Sequence, residues 1–549
     1  PHPPSLHQSK EYTCITPYYS EDVLLSQRDL ENKNNDGITT ILYLQTLHKK
    51  EWENFLERQG KELQEKPHLI YHDKYVRETR IWASLRAQTL FRTVEGMMQT
   101  ESALKMLAEN VIENHEKLIK LKFNYVVACQ VYGDMRQNSD PKAADIEYLL
   151  SKYTNLRVAY IDKVRTYDKK RNTSSFSYYS VLVKYDSDAD IDADTSNNNF
   201  NTNTKPNLMR SASFIRTHIK EVYRIKLPGN PILGEGKPEN QNHSVIFTRG
   251  RYLQAIDMNQ DGYFEESMKM RNLLEVFTPN NTNSSGNSSG NGNGSNTNTV
   301  TSSNSNNTHS SDTSDSGLIK NDVAIVGFRE HIFTGSVSSV ANYMALQELS
   351  FVTLGQRVLC SPLKVRQHYG HPDVFNKIFV MTEGGMSKAS RGINLSEDIF
   401  AGFNATLRGK QILYKEFIQV GKGRDVGLQQ TYKFEAKLAQ GNAEQTLSRD
   451  MHRICNRLDF FRLLGFYYGG IAHYMTNTMV MYSLALVMYI NILLALYNGE
   501  GVNGRRIEIA SLLTMLLAGM GLLQTMPLAV TLYVEKGLLD CFTQLGYMF

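Results

Sequence analysis

The sequence predicts an α/β domain with parallel strands, followed by membrane-spanning helices. In the first part of the 549-residue chain, apolar, β-branched and aromatic runs alternate with segments of helical periodicity. This order is typical of parallel strands joined by helices. Near the end of the chain, residues 466–497 and 509–534 contain no Asp, Glu, Lys or Arg. Crossing the apolar core of a bilayer takes about 20 helical residues, so each run is long enough to span it.

The predicted elements follow this alternation along the chain. The predicted strands are residues 12–17, 123–130, 156–162 and 251–256, and the predicted helices are residues 41–63, 77–111 and 143–153. Strand, helix and strand in this order favour parallel pairing, with ligands bound at the carboxyl ends of the strands. Asp162 ends the third strand and is a candidate to bind the uracil or ribose of a nucleotide. An ordinary helix-capping or loop aspartate is the alternative.

Two stretches are too polar to join a folded core. Residues 186–212 are rich in Asp, Asn and Ser, and residues 278–316 consist almost wholly of Asn, Ser, Gly and Thr. Such compositions bury too little apolar surface to offset chain entropy, so both are predicted to be mobile inserts. The first insert carries Asp-x-Asp triplets at 188–190 and 192–194, a pattern that binds metal in many nucleotide-sugar transferases. We reject them as a metal site, because a disordered loop cannot hold the ligands in a preorganised geometry.

Composition excludes several classes of protein. A formal net charge of +4 is nearly balanced for this length and does not support nucleic-acid binding. The five cysteines are scattered without CxxC or Cys/His spacing, which favours a reduced, cytoplasmic body. The polar N-terminus does not resemble a signal peptide. Because the chain lacks an initiator Met and stops soon after an apolar region, we expect it to be a fragment of a larger membrane protein.

Two acids and two cations lie close together in the sequence and suit the transfer of a sugar from a nucleotide diphosphate. Glu397 and Asp398 lie within residues 392–402, and Lys422 and Arg424 follow between glycines. An attacking hydroxyl must lose its proton to a positioned carboxylate, and a departing diphosphate builds negative charge that cations stabilise. Glycines let the backbone approach the phosphates closely. The alternatives are a solvated acidic loop and an ordinary structural pair of Arg424 with its neighbour Asp425.

Long motifs in a fixed order surround these residues. They lie at 13–21, 80–90, 122–130, 227–243, 323–335, 367–373, 384–389 and 444–450, and include Val-Ala-Ile-Val-Gly-Phe-Arg-Glu-His-Ile-Phe-Thr-Gly and Gln-His-Tyr-Gly-His-Pro-Asp. On these motifs the chain resembles the 1,3-β-glucan (callose) synthases of plants and fungi, glycosyltransferase family 48. The sequences of these motifs are more similar to those of the plant-type enzymes. The resemblance covers nearly all of the chain except the two inserts.

The resemblance implies a fold, a reaction and a location. It implies a cytoplasmic, GT-A-like (Rossmann-type) catalytic domain over residues 10–460 and the start of a transmembrane bundle over residues 466–549. The implied reaction is processive, inverting transfer of glucose from UDP-glucose to a growing 1,3-β-glucan chain. A multi-pass protein of the plasma membrane, in contact with membrane lipid, is expected. Fungal members of the family use a Rho-type GTPase, which is the implied regulatory partner.

The resemblance also suggests roles for the acids. Ser396-Glu397-Asp398 is similar to the Thr-Glu-Asp segment of cellulose synthases, in which the aspartate accepts the acceptor's proton. Asp398 is therefore the candidate base and Glu397 a neighbour that orients it, although spacing does not decide between them. The Gln-x-x-Arg-Trp motif of those relatives is absent. Lys422 and Arg424 are the candidates for binding the diphosphate.

A second acidic segment is a candidate for metal binding. Asp257 and Asp261 follow the predicted strand 251–256. The resemblance places this segment in the active region and, by analogy to other glycosyltransferases, implies that either aspartate could hold a divalent cation, Mg²⁺ or Mn²⁺, near the diphosphate. An Asx turn that closes the strand is the alternative. The spacing also mimics an EF-hand calcium loop, but Met268 stands where the bidentate Glu would be, so we discount that interpretation.

Three further polar residues are candidates for substrate binding. Lys237 and Asn242 lie in a donor-rich loop suited to sugar hydroxyls or phosphate, and Lys388 follows a glycine pair. A hydrogen-bonded turn accounts for the loop equally well.

The distribution of cations favours a cytoplasmic body. Four arginines precede the first predicted span and two lie between the spans: Arg449, Arg453, Arg457 and Arg462, then Arg505 and Arg506. Cytoplasmic segments carry the excess of Lys and Arg, so the large N-terminal part is expected in the cytoplasm.

Two other classes of function stay open. One is a non-catalytic membrane scaffold or regulatory homologue of the synthase, and the other is a calcium-regulated channel or sensor.

Overall fold

The computed structural model separates the chain into two compact units. One unit runs to Gly469 and the other from Gly470 to the end. The structure describes residues 4–18, 20–34, 37–109, 114–168, 173–186, 212–234, 236–278, 323–334, 338–360, 363, 372–390, 395–424, 427–496 and 503–548. Nearly all of the two polar inserts lies outside these residues, as does Asp425.

The first unit is built on one ten-stranded mixed sheet. Its strands are β1 (Tyr12–Pro17), β2 (Phe123–Ala128), β3 (Leu156–Asp168), β4 (Thr173–Tyr185), β5 (Ile219–Lys226), β6 (Tyr252–Ala255), β7 (Gln260–Asp261), β8 (Val323–Thr334), β9 (Val374–Asn376) and β10 (Gln411–Arg424). They lie in the order β5-β4-β3-β2-β1-β6-β9-β8-β10-β7. The central strands β3, β2, β1 and β6 pair in parallel, and so do β8 and β10. The remaining pairs are antiparallel.

Helices flank this sheet. In the first unit they are α1 (Gln27–Glu31), α2 (Thr40–Leu47), α3 (Lys49–Gln59), α4 (Lys61–Glu65), α5 (Val76–Ser84), α6 (Leu90–Ala108), α7 (His115–Lys122), α8 (Tyr132–Gln137), α9 (Pro141–Lys152), α10 (Ala212–Thr217), α11 (Lys237–Ser244), α12 (Phe264–Ser267), α13 (Met270–Glu275), α14 (Ser339–Leu349), α15 (Gln356–Cys360), α16 (Lys377–Glu383), α17 (Glu397–Leu407), α18 (Leu428–Thr446), α19 (Arg449–Cys455) and α20 (Phe460–Gly469). Short 3₁₀ turns cover Pro67–Tyr71 and Val245–Phe247, and a π turn covers Ser350–Gly355.

The parallel strands are buried on both faces. Tyr12 and Cys14 of β1 belong to one hydrophobic cluster, whereas Ile15 belongs to a second cluster with Val126 of β2. Side chains alternate between the faces of a strand, so the two clusters lie on opposite sides of the sheet. This explains why β1 and β2 appear in the sequence as nearly unbroken apolar runs.

The α/β class and the parallel pairing of the predicted strands are confirmed. The third predicted strand is longer than expected, because β3 continues past Asp162 to Asp168 and forms an antiparallel ladder with β4. The two long predicted helices are also divided. Residues 41–63 contain three helices, α2 to α4, with Gly60 at a positive φ of 107° between the last two. Residues 77–111 divide into α5 and α6, where the Thr89 hydroxyl caps the second helix.

The second unit consists of α21 (Ile471–Leu496), α22 (Asn503–Lys536) and α23 (Leu538–Met548). Among its described residues, one stretch, Ile471–Ile492, has the length and hydropathy to cross a membrane. A second span exists only if Thr514–Leu523 and Leu528–Val534, which are bent by 42° relative to each other, are taken together. The structure thus supports the prediction of two spans only in part.

Candidate functional site

Helix α11 begins at the carboxyl ends of the parallel strands. The Asn240 side-chain amide donates to the backbone carbonyls of Tyr18, just after β1, at 2.7 Å, and of Ala128, at the end of β2, at 2.6 Å. Gly236 precedes the helix with a φ of 79°, a conformation that glycine adopts without strain. These contacts place Lys237, the first residue of α11, at the edge where open α/β sheets bind their ligands.

Lys237 lies among three carboxylates, which we call the acidic pocket: Asp257, Glu397 and Asp398. Its Nζ is 2.9 Å from Asp257 Oδ1 and 3.1 Å from Glu397 Oε1. Burial by itself would lower the pKa of this ammonium, but the three carboxylates outweigh burial and raise the pKa well above its ordinary value. The lysine therefore stays charged, and the pocket carries more negative than positive charge.

Two separate segments supply these acids. Asp257 follows β6 in a turn whose backbone is held by Gln260: the Asp257 N–H donates to Gln260 Oε1 at 3.0 Å, and the Gln260 N–H donates to the Asp257 carbonyl at 3.1 Å. Glu397 and Asp398 form the first turn of α17, where the helix dipole stabilises negative charge. Glu397 is only 5 % exposed, whereas Asp398 is half-buried.

A buried ionic network adjoins the acidic pocket. The Lys422 ammonium lies 3.3 Å from Glu330 Oε2 and 3.3 Å from Glu348 Oε1, and the Arg424 guanidinium binds both oxygens of Glu348. Gln260 donates to the Glu330 carboxyl. Asp257 adds to the charges that raise the pKa of Lys422, so the pocket and the network interact. Arg424 is thus paired with Glu348, while its neighbour Asp425 lies outside the described residues.

Burial governs the protonation of this network. It raises the pKa of Glu330 to about 7, although the adjacent Lys422 acts in the opposite direction. For Glu348, burial acts upwards too, but Lys422 and Arg424 prevail and lower its pKa. One carboxyl of the network is thus poised to take up a proton near neutral pH, while the other stays ionised.

The pKa of Glu330 leads to a prediction about stability. A carboxyl whose pKa is higher in the folded chain than in the unfolded chain loses stabilising free energy as pH rises between the two values. From about pH 4.5 to pH 7, the stability of the parent should therefore fall relative to that of Glu330→Gln. Thermal unfolding of both proteins across this range measures the difference. A constant difference across the range would contradict the raised pKa, and Glu265→Gln, at an exposed glutamate, is the control.

The structure places Asp261 and Asp162 in ion pairs outside the acidic pocket. Both guanidinium contacts from Arg92 meet Asp261 Oδ2, at 3.1 and 3.0 Å. Arg224 NH1 lies 2.8 Å from Asp162, which is on β3 just beyond the level where β2 ends. Asp261 is therefore held by a cation of its own and does not join the acidic pocket through a described contact.

Asn242 and Lys388 are both engaged with neighbouring segments. Asn242 Oδ1 accepts from the backbone N–H groups of Met386 and Ser387 at 3.0 and 3.3 Å, and its amide donates to the Ser387 carbonyl. A Cβ on Gly385 would lie 2.7 Å from the same oxygen, so glycine lets the turn approach. Lys388 Nζ reaches Asp450 at 2.7 Å, which links the turn to the motif at 444–450.

In the structure, both aspartates that were predicted to bind a metal ion face a cationic side chain. No group of three or more His, Cys, Asp or Glu side chains within the described part of the chain is arranged to hold a metal ion. Asp257 faces Lys237, and Asp261 faces Arg92. Mg²⁺ commonly uses only one or two carboxylates together with substrate phosphates, so the metal site stays a prediction.

Sequence reasoning did not single out Glu330, Glu348, Gln260 or Arg92. Glu330 carried a usable signal, because Arg329, Glu330 and His331 interrupt the otherwise apolar run that forms β8. A buried acid normally has a partner. The other three are ordinary polar residues until the fold brings them to the site.

Comparison with known proteins gives the family of the chain. The 1,3-beta-glucan synthase component family matches residues 1–72 and 68–511. The chain is 41 % identical to callose synthase 3 of Arabidopsis thaliana over 98 % of the chain, 40 % identical to callose synthase 5 over 100 %, and 42 % identical to callose synthase 9 over 98 %. It spans about a quarter of the length of these relatives, 26 %, 27 % and 26 %. The resemblance recognised in the sequence is confirmed, and the chain belongs to the 1,3-β-glucan synthase family.

Proposed function

We propose that the chain carries the site at which a 1,3-β-glucan synthase transfers glucose from UDP-glucose to a growing glucan. The observation that carries this proposal is the acidic pocket around Lys237 at the carboxyl edge of the parallel strands. It combines carboxylates that can accept a proton with a fixed cation that can face a phosphate. The names of the callose synthase relatives supply the product.

Asp398 is the proposed general base. Glu397 is nearly buried and bound to Lys237, whereas Asp398 is more exposed and shares the first turn of α17. The acceptor hydroxyl transfers its proton to the Asp398 carboxylate as its oxygen bonds to the anomeric carbon. The bond from that carbon to the UDP oxygen breaks on the opposite side, so the anomeric configuration inverts. Glu397 then holds Lys237 and keeps negative charge beside the base.

Lys237 and Lys422 are the proposed contacts for the diphosphate. Each ammonium is held by two carboxylates within 3.3 Å, so its position is defined before substrate arrives. Charge that develops on the leaving UDP is stabilised best by cations whose positions need no reorganisation. Arg424 supports Lys422 through the shared carboxylate of Glu348.

A divalent cation, Mg²⁺ or Mn²⁺, is part of the proposal. Asp257 would hold it together with the phosphates of the nucleotide, and it would neutralise charge on the departing diphosphate when bound. Asp261 would act indirectly, by fixing Arg92 beside the turn that carries Asp257.

The proposed setting is the plasma membrane, with the first unit in the cytoplasm where UDP-glucose is available. Polymer would leave through a membrane path to which the second unit contributes, in contact with lipid. A Rho-type GTPase is the proposed regulatory partner. We also propose that extension of the glucan chain is processive.

Membranes that contain the protein, supplied with UDP-glucose, test the function. Alkali-insoluble product that 1,3-glucanase digests is the expected result. A non-catalytic scaffold or regulatory homologue would yield no product above that of membranes without the protein. Addition of a chelator and then Mg²⁺ or Mn²⁺ tests the cation, and unchanged synthesis throughout would remove it from the proposal.

A further inference from the structure

A group of cations lies at the opposite edge of the sheet from the acidic pocket. Arg157 is at the start of β3, Lys184 is its direct neighbour on β4, and Arg249 precedes β6. Arg249 is tied to the start of β1, because its backbone N–H donates to the Thr13 hydroxyl and its carbonyl accepts from that hydroxyl. We call Arg157, Lys184 and Arg249 the amino-edge cations.

The register puts Arg157 and Lys184 on one face of the sheet. Val126 of β2 pairs with Arg157, which pairs with Lys184. Val126 belongs to the second hydrophobic cluster, and so does Leu182, two residues before Lys184. Side chains two apart on a strand share a face, so Arg157 and Lys184 extend the face that this cluster covers.

Carboxylates do not balance this charge. The groups that shift the pKa of Arg157 are its burial and the neighbouring Arg249 guanidinium, which together lower it to about 10. Among the described residues, no acid forms an ion pair with Arg157, Lys184 or Arg249. Arg157 is half-buried and Arg249 is exposed, and two guanidinium groups that interact repel each other, so an anion bound between them would relieve that repulsion.

A second observation also indicates a missing partner. Asn124 of β2 is fully buried, and neither its amide nitrogen nor its carbonyl oxygen has a hydrogen-bond partner in the described structure. It pairs with Thr13, which holds Arg249, and it lies two residues before Val126, which pairs with Arg157. A buried amide without partners is costly, and because Asn124 is linked to both arginines through Thr13 and Val126, its amide is a candidate donor for a bound anion.

We propose that the amino-edge cations form a binding site for a phosphate group, separate from the proposed catalytic site. Guanidinium groups present several N–H donors in a planar fork that matches phosphate oxygens. The site holds donors and positive charge from Arg157, Arg249, Lys184 and Asn124. The phosphate belongs either to a soluble phosphate compound or to the head group of a phospholipid.

Phosphate binding to the detergent-solubilised chain tests this site. Inorganic phosphate and dibutanoyl phosphatidic acid, whose short acyl chains keep it in solution, are titrated separately by calorimetry. Loss of one charge-assisted contact should weaken binding about tenfold, so Arg157→Gln and Arg249→Gln should each bind about ten times more weakly than the parent. Arg251→Gln removes an exposed arginine two residues further on and should bind like the parent.

The two probes distinguish the sources of the phosphate. Comparable affinity for both indicates a soluble phosphate compound, and tighter binding of the phosphatidic acid that depends on Arg157 indicates a lipid head group. Thermal unfolding of each variant shows that it is folded. Asn124→Leu, which replaces the buried amide with an apolar group of similar size, should also weaken binding without lowering the unfolding temperature.

One neighbouring segment of the sequence needs its own control. Four aspartates, Asp188, Asp190, Asp192 and Asp194, follow Lys184 closely and could compete with phosphate. The titration is therefore repeated with all four changed to Asn. Absence of binding in both backgrounds overturns the proposal, and so does equal binding in the parent, Arg157→Gln and Arg249→Gln.

Discussion

Replacing Asp398 with Asn is expected to lower glucan synthesis by about 100- to 10,000-fold, the range typical of losing a general base. Asn keeps the size of the side chain and can still accept from the Ile399 N–H, as Asp398 Oδ1 does at 2.9 Å. The acidic pocket should therefore keep its shape. A base acts on the acceptor's proton in the transition state, so the loss should appear in turnover more than in UDP-glucose affinity.

The measurement compares UDP-glucose binding and glucan output on one membrane preparation. Glu397→Gln is the informative companion, because it removes the charge that holds Lys237 at 3.1 Å. It should impair donor binding as well as turnover. Asp459→Asn, at a surface aspartate that is 59 % exposed, is the matched control and should leave both unchanged. Near-normal turnover in Asp398→Asn would exclude Asp398 as the base and leave Glu397 or Asp257 as candidates.

Replacing Lys237 with Met should cost about 3–5 kcal/mol of stability and abolish synthesis. The substitution keeps most of the aliphatic part of the side chain but removes the ammonium. Asp257 and Glu397 are then left without the cation that they contact. Removing one partner of a buried pair is costly, because the remaining charge stays desolvated. The Lys237 side chain is only 17 % exposed, so solvent screens little of this effect.

A second substitution separates the structural role of Lys237 from its role towards the substrate. Asp257→Asn combined with Lys237→Met removes one unpaired carboxylate and should recover part of the lost stability, while synthesis stays absent. Lys269→Met is the control, since its pair with Glu266 is partly exposed and should be worth no more than about 1 kcal/mol. Thermal unfolding and glucan assays give the two readouts. A Lys237→Met protein with parental stability would show that the ammonium does not balance these acids.

The central strands could be predicted from the sequence, whereas the helix breaks and the extension of β3 could not. The strands β1, β2 and β6 were predictable because each is a short apolar run, and burial on both faces selects such residues. The helix breaks at Gly60 and Thr89 were missed because the periodic apolar pattern continues across them. The extension of β3 was missed because its second half pairs with β4 in a hairpin and carries polar residues.

The sequence by itself determined the α/β class, the family and most of the charged residues that gather at the site, since these depend on local patterns and long motifs. Only the tertiary structure decided which charges meet. Asp257 lies one strand after Lys237, whereas Glu397 lies beyond an insert and three further strands, so no local sequence pattern indicates that the three side chains meet. Lys422 illustrates the same limit, because its partners Glu330 and Glu348 come from β8 and α14. Coulombic energy depends on distance in space and on burial, and both are set only when the sheet has assembled.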